Sequence, residues 1–197
     1  MASIFYRKKQ VYIKRITSAY FLCLLSISVS SFAFADINQE LLALVKQDQI
    51  ERKNGEFTYY NDQKRIIRVK EIIASGSLKD PEDYFNAALI FQHGHSSDDY
   101  LKAFELSSKA AELGHHTAKW LSCAAEDRYL LSLNKPQIWG TQFNNISENG
   151  YKLSMMDETA KTDKERNAKC NMGSLEDIKK RIIKLNQKND RLYKSIN

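Results

Sequence analysis

His93, Asp127 and Arg128 are the residues on which chemistry would most readily rest. His93 follows Gln92 at the end of one helical pattern, and Asp127-Arg128 falls within a later helix that should pack antiparallel to its neighbour. A histidine oriented by a carboxylate can act as a general base, and an arginine fork can hold an anionic group. Gln137, Thr141 and Gln142 follow in a polar stretch, at the side of a bundle where helix ends and loops can converge on a ligand. The same residues read as a structural network, in which Asp127 and Arg128 tie that stretch to the helices through hydrogen bonds. Both readings stay open at this level. Asp48 and Arg52, four residues apart, read on spacing as a surface ion pair worth about 0.3–0.5 kcal/mol.

Other reactive types are less organised. The four histidines occur as His93-Gly94-His95 and His115-His116, with Asp98 and Asp99 nearby, a spacing that matches no metal motif. No metal and no cofactor is expected. There is no Gly-x-Ser-x-Gly elbow, phosphate loop or dinucleotide fingerprint. Cys123 and Cys170 are the two cysteines outside the N-terminal leader. A disulfide between them is allowed in an exported protein, and a buried thiol at Cys123, among Ala and Leu, is the competing reading.

The leader sets the expected location. Residues 1–15 are basic, residues 16–32 are apolar with interspersed serines, and Ala33-Phe34-Ala35 places small residues before Asp36. That is the pattern of a secretory signal cleaved near Ala35-Asp36, giving a periplasmic or secreted protein. An uncleaved anchor is the alternative. Five Lys/Arg and no acid lie in residues 1–35, and seven Lys/Arg against three Asp/Glu lie in residues 174–197. Residues 36–173 are left with a net charge of −3, although the protein as a whole has +6. A domain so balanced has no general attraction for nucleic acid. Membrane contact is expected only through an uncleaved leader or a weak attachment of the C-terminal helix.

The elements that must hold the polar groups are helical. Seven Gly and two Pro in 197 residues leave little turn punctuation, and 43% hydrophobic content is enough for a packed core. The expected fold is mainly α: one helical domain over residues 36–173, with a repeat-like helix hairpin and a short β-hairpin or ordered loop. A basic amphipathic helix over 174–197 should dock on it. A first helix begins at an Asp36 cap, and a second runs from about Asp62 to Ala74 with Ile66, Val69, Ile72 and Ile73 inward. Asp80-Pro81 and Ser96-Ser97-Asp98-Asp99 start two more, Gly114 stops the latter, and another runs from about His116 to Leu133. Residues 155–173 read as polar and irregular. Ser174 with Asp177 caps the last helix, whose Leu175, Ile178, Ile182, Leu185, Asn189, Leu192 and Ile196 follow heptad-like spacing.

Two resemblances rest on short stretches. Tyr100-Leu101-Lys102-Ala103, Lys109-Ala110-Ala111-Glu112-Leu113-Gly114-His115 and Ala118 resemble one unit of the Sel-like, tetratricopeptide-type repeats, which implies protein–protein contact. Over about residues 42–186 the sequence resembles a bacterial domain family of unknown function. The shared signatures are Asp48-Gln49-x-x-Arg52, Leu89-Ile90-Phe91-Gln92-His93, Asp127-Arg128, Pro136-Gln137-Ile138-Trp139-Gly140-Thr141-Gln142 and Asp163-x-x-Arg166. That resemblance implies a mostly helical, exported or envelope-associated domain and no particular activity. It also implies that Asp48, Arg52, His93, Asp127, Arg128, Gln137, Gln142 and Arg166 share one site. The leading expectation is an exported accessory protein that binds a protein or peptide. The alternative is a hydrolase-like enzyme using His93, Asp127 and Arg128.

Overall fold

A computed structural model of the protein describes residues 37–146 and 150–196, with side chains except those of 145, 146 and 189–196. The leader and the side chains of the heptad positions Asn189, Leu192 and Ile196 lie outside what is described; the first helix, expected to start at an Asp36 cap, is capped by Asn38 instead. The fold is mainly α, as composition and periodicity indicate.

Helix α1 spans Gln39–Asn54 and is capped by Asn38, whose side chain accepts from the Leu41 N–H at 2.9 Å. Asn38 in turn donates its own N–H to Asp83 at 2.7 Å, which explains the cap's position: it satisfies two helices at once. Helix α2, Tyr59–Ala74, starts three residues before the apolar period does, because Thr58 caps it and Tyr59 and Tyr60 stand exposed on its first turn. Helices α3, Pro81–Gln92, and α4, Ser97–Glu112, each begin with a complete capping box, Asp80/Asp83 and Ser96/Asp99. Gly94 lies so close to Asp99 that an added Cβ would come within 2.4 Å of that side chain. The tight α3–α4 turn therefore requires glycine. Helix α5 spans Ala118–Ser132.

These five helices enclose one core. Leu41 and Val45 meet Ile66, Val69 and Ile72 of α2, and Ala87, Ala88, Ile90 and Phe91 of α3 lie against Ala103, Leu106, Leu121 and Ala125. The alanines let α3, α4 and α5 approach closely, and burying Phe91 contributes about 2–3 kcal/mol.

The segment after α5 forms a second layer. An ordered loop leads into an antiparallel hairpin, β1 Phe143–Ile146 and β2 Gly150–Leu153, with Phe143 opposite Leu153. Both expected forms are thus present, loop and hairpin in succession. The expectation that residues 155–173 are irregular is corrected: α6 spans Asp163–Cys170, with a Thr162/Glu165 capping box and Asn171 in the left-handed conformation at its end. Its two buried residues, Arg166 and Cys170, are too few to give an apolar period, so tertiary contacts must hold it.

Those contacts are a second small core of Cys123, Trp139, Cys170, Met172 and Ile178. Cys123 and Cys170 are disulfide-bonded, with Cα atoms 5.9 Å apart, joining α5 to α6. Helix α7, Leu175–Ile196, is capped by Ser174 and Asp177 as its sequence indicates. It docks through buried Ile178 and through Asn186, which accepts from the Tyr151 N–H at 2.6 Å and donates to the Tyr151 carbonyl at 3.0 Å. No described helix is long and apolar enough to cross a membrane.

The disulfide spans 47 positions of sequence, which in the chain-entropy treatment stabilises the fold by about 4 kcal/mol. The double variant Cys123→Ala/Cys170→Ala should therefore lose a large part of that amount in urea denaturation. Limited proteolysis should cut it first between residues 155 and 173, where the bond holds α6 in place.

Candidate functional site

The eight residues expected to share a site fall into two buried networks that meet at one contact. The first joins α1, α2 and the end of α3. Asp48 is only 1% exposed, which corrects the expectation of a surface ion pair. Its Oδ1 accepts from Arg52 Nε at 3.0 Å, with Arg65 Nη2 at 3.4 Å, and its Oδ2 accepts from Gln49 Nε2 at 2.8 Å. His93 Nδ1 stands 2.9 Å from the same Oδ2. Arg52 extends through Nη2 to Asp62 at 2.6 Å, and Arg65 donates to Asp62 and to Glu51, both at 2.7 Å. His95 Nε2 closes the group, 3.4 Å from Asp62 Oδ2.

Arg52 Nε is also 2.8 Å from His93 Nδ1, yet that ring nitrogen has one in-plane position and can serve one partner. The Arg52 N–H is already given to Asp48. Placing the ring proton on Nδ1, pointed at Asp48, satisfies all three groups, and we assign the tautomer on that ground. His93 Nε2 is then the acceptor nitrogen. It has no partner among the described residues, on a side chain that is 20% exposed. Burial pushes the Asp48 carboxyl up, but His93, Arg52 and Arg65 together outweigh it and hold it below its ordinary value.

The second network is built on Asp127, which is wholly buried in α5. Its Oδ1 accepts the backbone N–H groups of Ile138 and Trp139 at 2.8 and 2.9 Å. Its Oδ2 accepts the Thr141 N–H and hydroxyl at 2.9 and 2.7 Å. Burial pushes this carboxyl above its ordinary value, against the four donors that pull it down. Gln137, also fully buried, splints the same loop: Nε2 donates to the carbonyls of Gln142 and Ser154, and Oε1 accepts from the Gln142 N–H. Arg166 reaches in from α6 and donates to the carbonyls of Ile138, Lys161 and Glu158 at 2.6, 2.7 and 3.2 Å. Gly140 turns the loop at φ 83°, against Ile178 and Met156. Every polar atom of the Pro136–Gln142 signature named here is thus used to hold the loop's own shape.

Arg128 is the joint between the two networks. Its Nη1 donates to the Gln92 carbonyl at 2.5 Å, one residue before His93, while Nε and Nη2 donate to Gln142 Oε1 at 3.3 and 3.2 Å. Gln142 Nε2 returns to the Ala124 carbonyl at 3.2 Å. Burial pulls the Arg128 guanidinium below its ordinary value, the Tyr100 phenol offsets part of this, and the nearby charge of Arg52 adds to it.

His93 and Asp127 therefore do not form a pair. The carboxylate that orients His93 is Asp48, because the lone pairs of Asp127 are committed to the loop. Asp48, Arg52 and His93 come together, as do Asp127, Gln137, Gln142 and Arg166. Asp62, Arg65, Glu51 and His95 belong to the first network and were not expected there. The sequence did carry a signal for two of them. Asp62 and Arg65 stand at i and i+3 ahead of Ile66 and Val69, continuing the inward stripe of α2 with charged residues.

The described residues hold no group of three or more His, Cys, Asp or Glu side chains arranged for a metal. The carboxylates of Asp48 and Asp62 already face guanidinium groups. No family model, curated protein or solved structure matches this protein.

Two outcomes follow from the contrast between the networks. Asp127→Asn turns one acceptor oxygen into an NH2 that faces backbone donors, and should cost about 3 kcal/mol in urea denaturation. Asp48 behaves as a lowered carboxylate, so its contribution is complete above the unfolded carboxylate range and fades as pH falls through the folded value. The stability gap between wild type and Asp48→Asn should therefore be widest near neutrality and narrow toward acid, read from urea midpoints across pH.

Proposed function

We propose that this protein is an exported accessory protein that binds a protein or peptide partner at the corner where α1 turns into α2. The observation that carries this reading is an exposed aromatic cluster, Phe57, Tyr59 and Tyr60, at 51%, 64% and 69% exposure. Three neighbouring aromatic rings in water are unusual unless something covers them, and aromatic residues are enriched in protein interfaces. The rings are not loose. The Arg52 guanidinium lies over Phe57 at 5.0 Å, and the Tyr59 ring rests tilted against His95 with centroids 4.7 Å apart, so the buried Asp48 network props the corner from beneath.

A separate groove of about 320 Å³ lies at the far end of α2, lined by Lys70, Ile73, Ala74 and Phe91 and, from α4, by Asp98, Asp99 and Lys102. The groove borders α4, the first helix of the repeat-like α4–α5 pair, where a binding module of that kind needs its apolar surface. The Cys123–Cys170 bond and the signal-like leader both support an oxidising compartment.

A photo-crosslinking residue placed at Tyr60 should capture one discrete partner in the producing cell. The same residue at Ile183, exposed on α7, should not. Phe57→Ala/Tyr59→Ala should abolish the cross-link while changing stability by less than about 1 kcal/mol, since both rings are solvated. Equal capture from both positions, or none, removes the reading.

A second reading, a hydrolase-like enzyme, is favoured by one observation, the His93–Asp48 pair with the His93 side chain partly exposed. It expects turnover of p-nitrophenyl esters that His93→Gln abolishes. Wild-type protein inert toward such esters across the pH range would remove it.

A further inference from the structure

We propose that Arg52 and Arg128 form a seat for a carboxylate group carried by the partner, an inference that rests on the recognition corner described above. The two arginines flank the C-terminal end of α3, Arg128 on the Gln92 carbonyl and Arg52 beside the His93 ring. Their circumstances differ. Arg52 faces Asp48 and Asp62. Arg128 is half-buried and has no carboxylate partner among the described residues: its three engaged donors go to a carbonyl and to an amide oxygen, both neutral.

A guanidinium has five N–H donors. Arg128 keeps one on each terminal nitrogen beyond those its present partners use, and Arg52 keeps both on Nη1. A planar guanidinium with unused N–H donors matches a carboxylate more closely than any neutral group. Its charge, held partly out of water and next to another cation, is relieved by an anion. Rings border both arginines, Phe57 at Arg52 and Tyr100 at Arg128 with its centroid 5.8 Å from the guanidinium carbon. The occupant that fits is a carboxylate close to an apolar or aromatic side chain. A peptide supplies this either as its own C-terminus or as an Asp or Glu side chain.

The test uses the protein with three probes: N-acetylphenylalanine, N-acetylphenylalanine amide and N-acetylglutamate amide. The readout is the NMR signals of the Arg Nε–H groups and of the Phe57 and Tyr59 rings. The two carboxylates should shift the Arg128 and Arg52 Nε–H signals saturably, with millimolar affinity, while the phenylalanine amide leaves them in place. Preference for N-acetylphenylalanine over N-acetylglutamate amide assigns the seat to a peptide's terminal carboxylate, and the reverse order assigns it to an acidic side group. Arg128→Lys keeps the charge, loses the fork, and should weaken carboxylate binding about tenfold. Because Arg128 also braces Gln142, the wild-type comparison of acid with amide stands without that variant. If the amide moves the arginine signals as much as the acids, or only the ring signals move, the carboxylate seat is wrong and the aromatic corner survives. If no signal moves with any probe, the seat is wrong, and the corner stands or falls on its cross-link.

Discussion

Burying a negative charge in the middle of α5 is the constraint around which the second half of this protein is arranged. An ionised carboxylate out of water costs several kcal/mol unless donors surround it. Asp127 meets that demand with three backbone N–H groups and one hydroxyl, all from residues 138–141. Charge-assisted hydrogen bonds contribute about 1.5–3 kcal/mol each, so four of them offset much of the desolvation, and burial still leaves the carboxyl above its ordinary value. The loop supplies them in a defined shape: Gly140 turns at positive φ, and Gln137 bridges the loop to Ser154, just after β2. The carboxylate thus folds the loop, and the loop makes the buried carboxylate tolerable.

The rest of that layer is reinforcement. Arg166 is a buried cation whose hydrogen bonds run to three carbonyls, so it ties the loop's Ile138 carbonyl to those of Glu158 and Lys161 ahead of α6. It can do so only because α6 is placed there, and α6 is held to α5 by the Cys123–Cys170 bond. Trp139 and Ile178 then close the apolar side. A longer amphipathic helix, of about fifteen residues, could have served as a lid without these devices. The short α6 needs them because it buries only Arg166 and Cys170.

The Asp48 network has the opposite character. Its charges are mutually paired, its side chains are more numerous than a structural clamp requires, and its outer members Arg52, His93 and His95 reach the surface. Arg128 connects this network to the braced loop. A displacement at either end of Arg128 is therefore felt by both, through the Gln92 carbonyl on one side and Gln142 on the other. Rigid support beneath a solvent-facing polar rim is the arrangement a binding surface needs, because it lowers the ordering cost of association.

Periodicity and capping chemistry determined much of this before any packing was known. Asp80-Pro81, Ser96 with Asp99, Ser174 with Asp177 and Gly114 mark helix ends through local hydrogen bonds and backbone sterics, which are properties of a few adjacent residues. The polar signatures were legible as a set because such residues are costly to bury without purpose. Their partners were not. Helix α6, whose contacts are distant, and the start of α2 at two exposed tyrosines left no apolar period to read. Whether Cys123 met Cys170 was likewise decided by the approach of α5 and α6. The assignment of His93 to Asp48 rather than to Asp127 turns on distances of a few ångströms between segments dozens of residues apart. One-dimensional spacing encodes which face of a helix a residue occupies. Which carboxylate faces which imidazole depends on how the helices cross, and only the packed structure settles that.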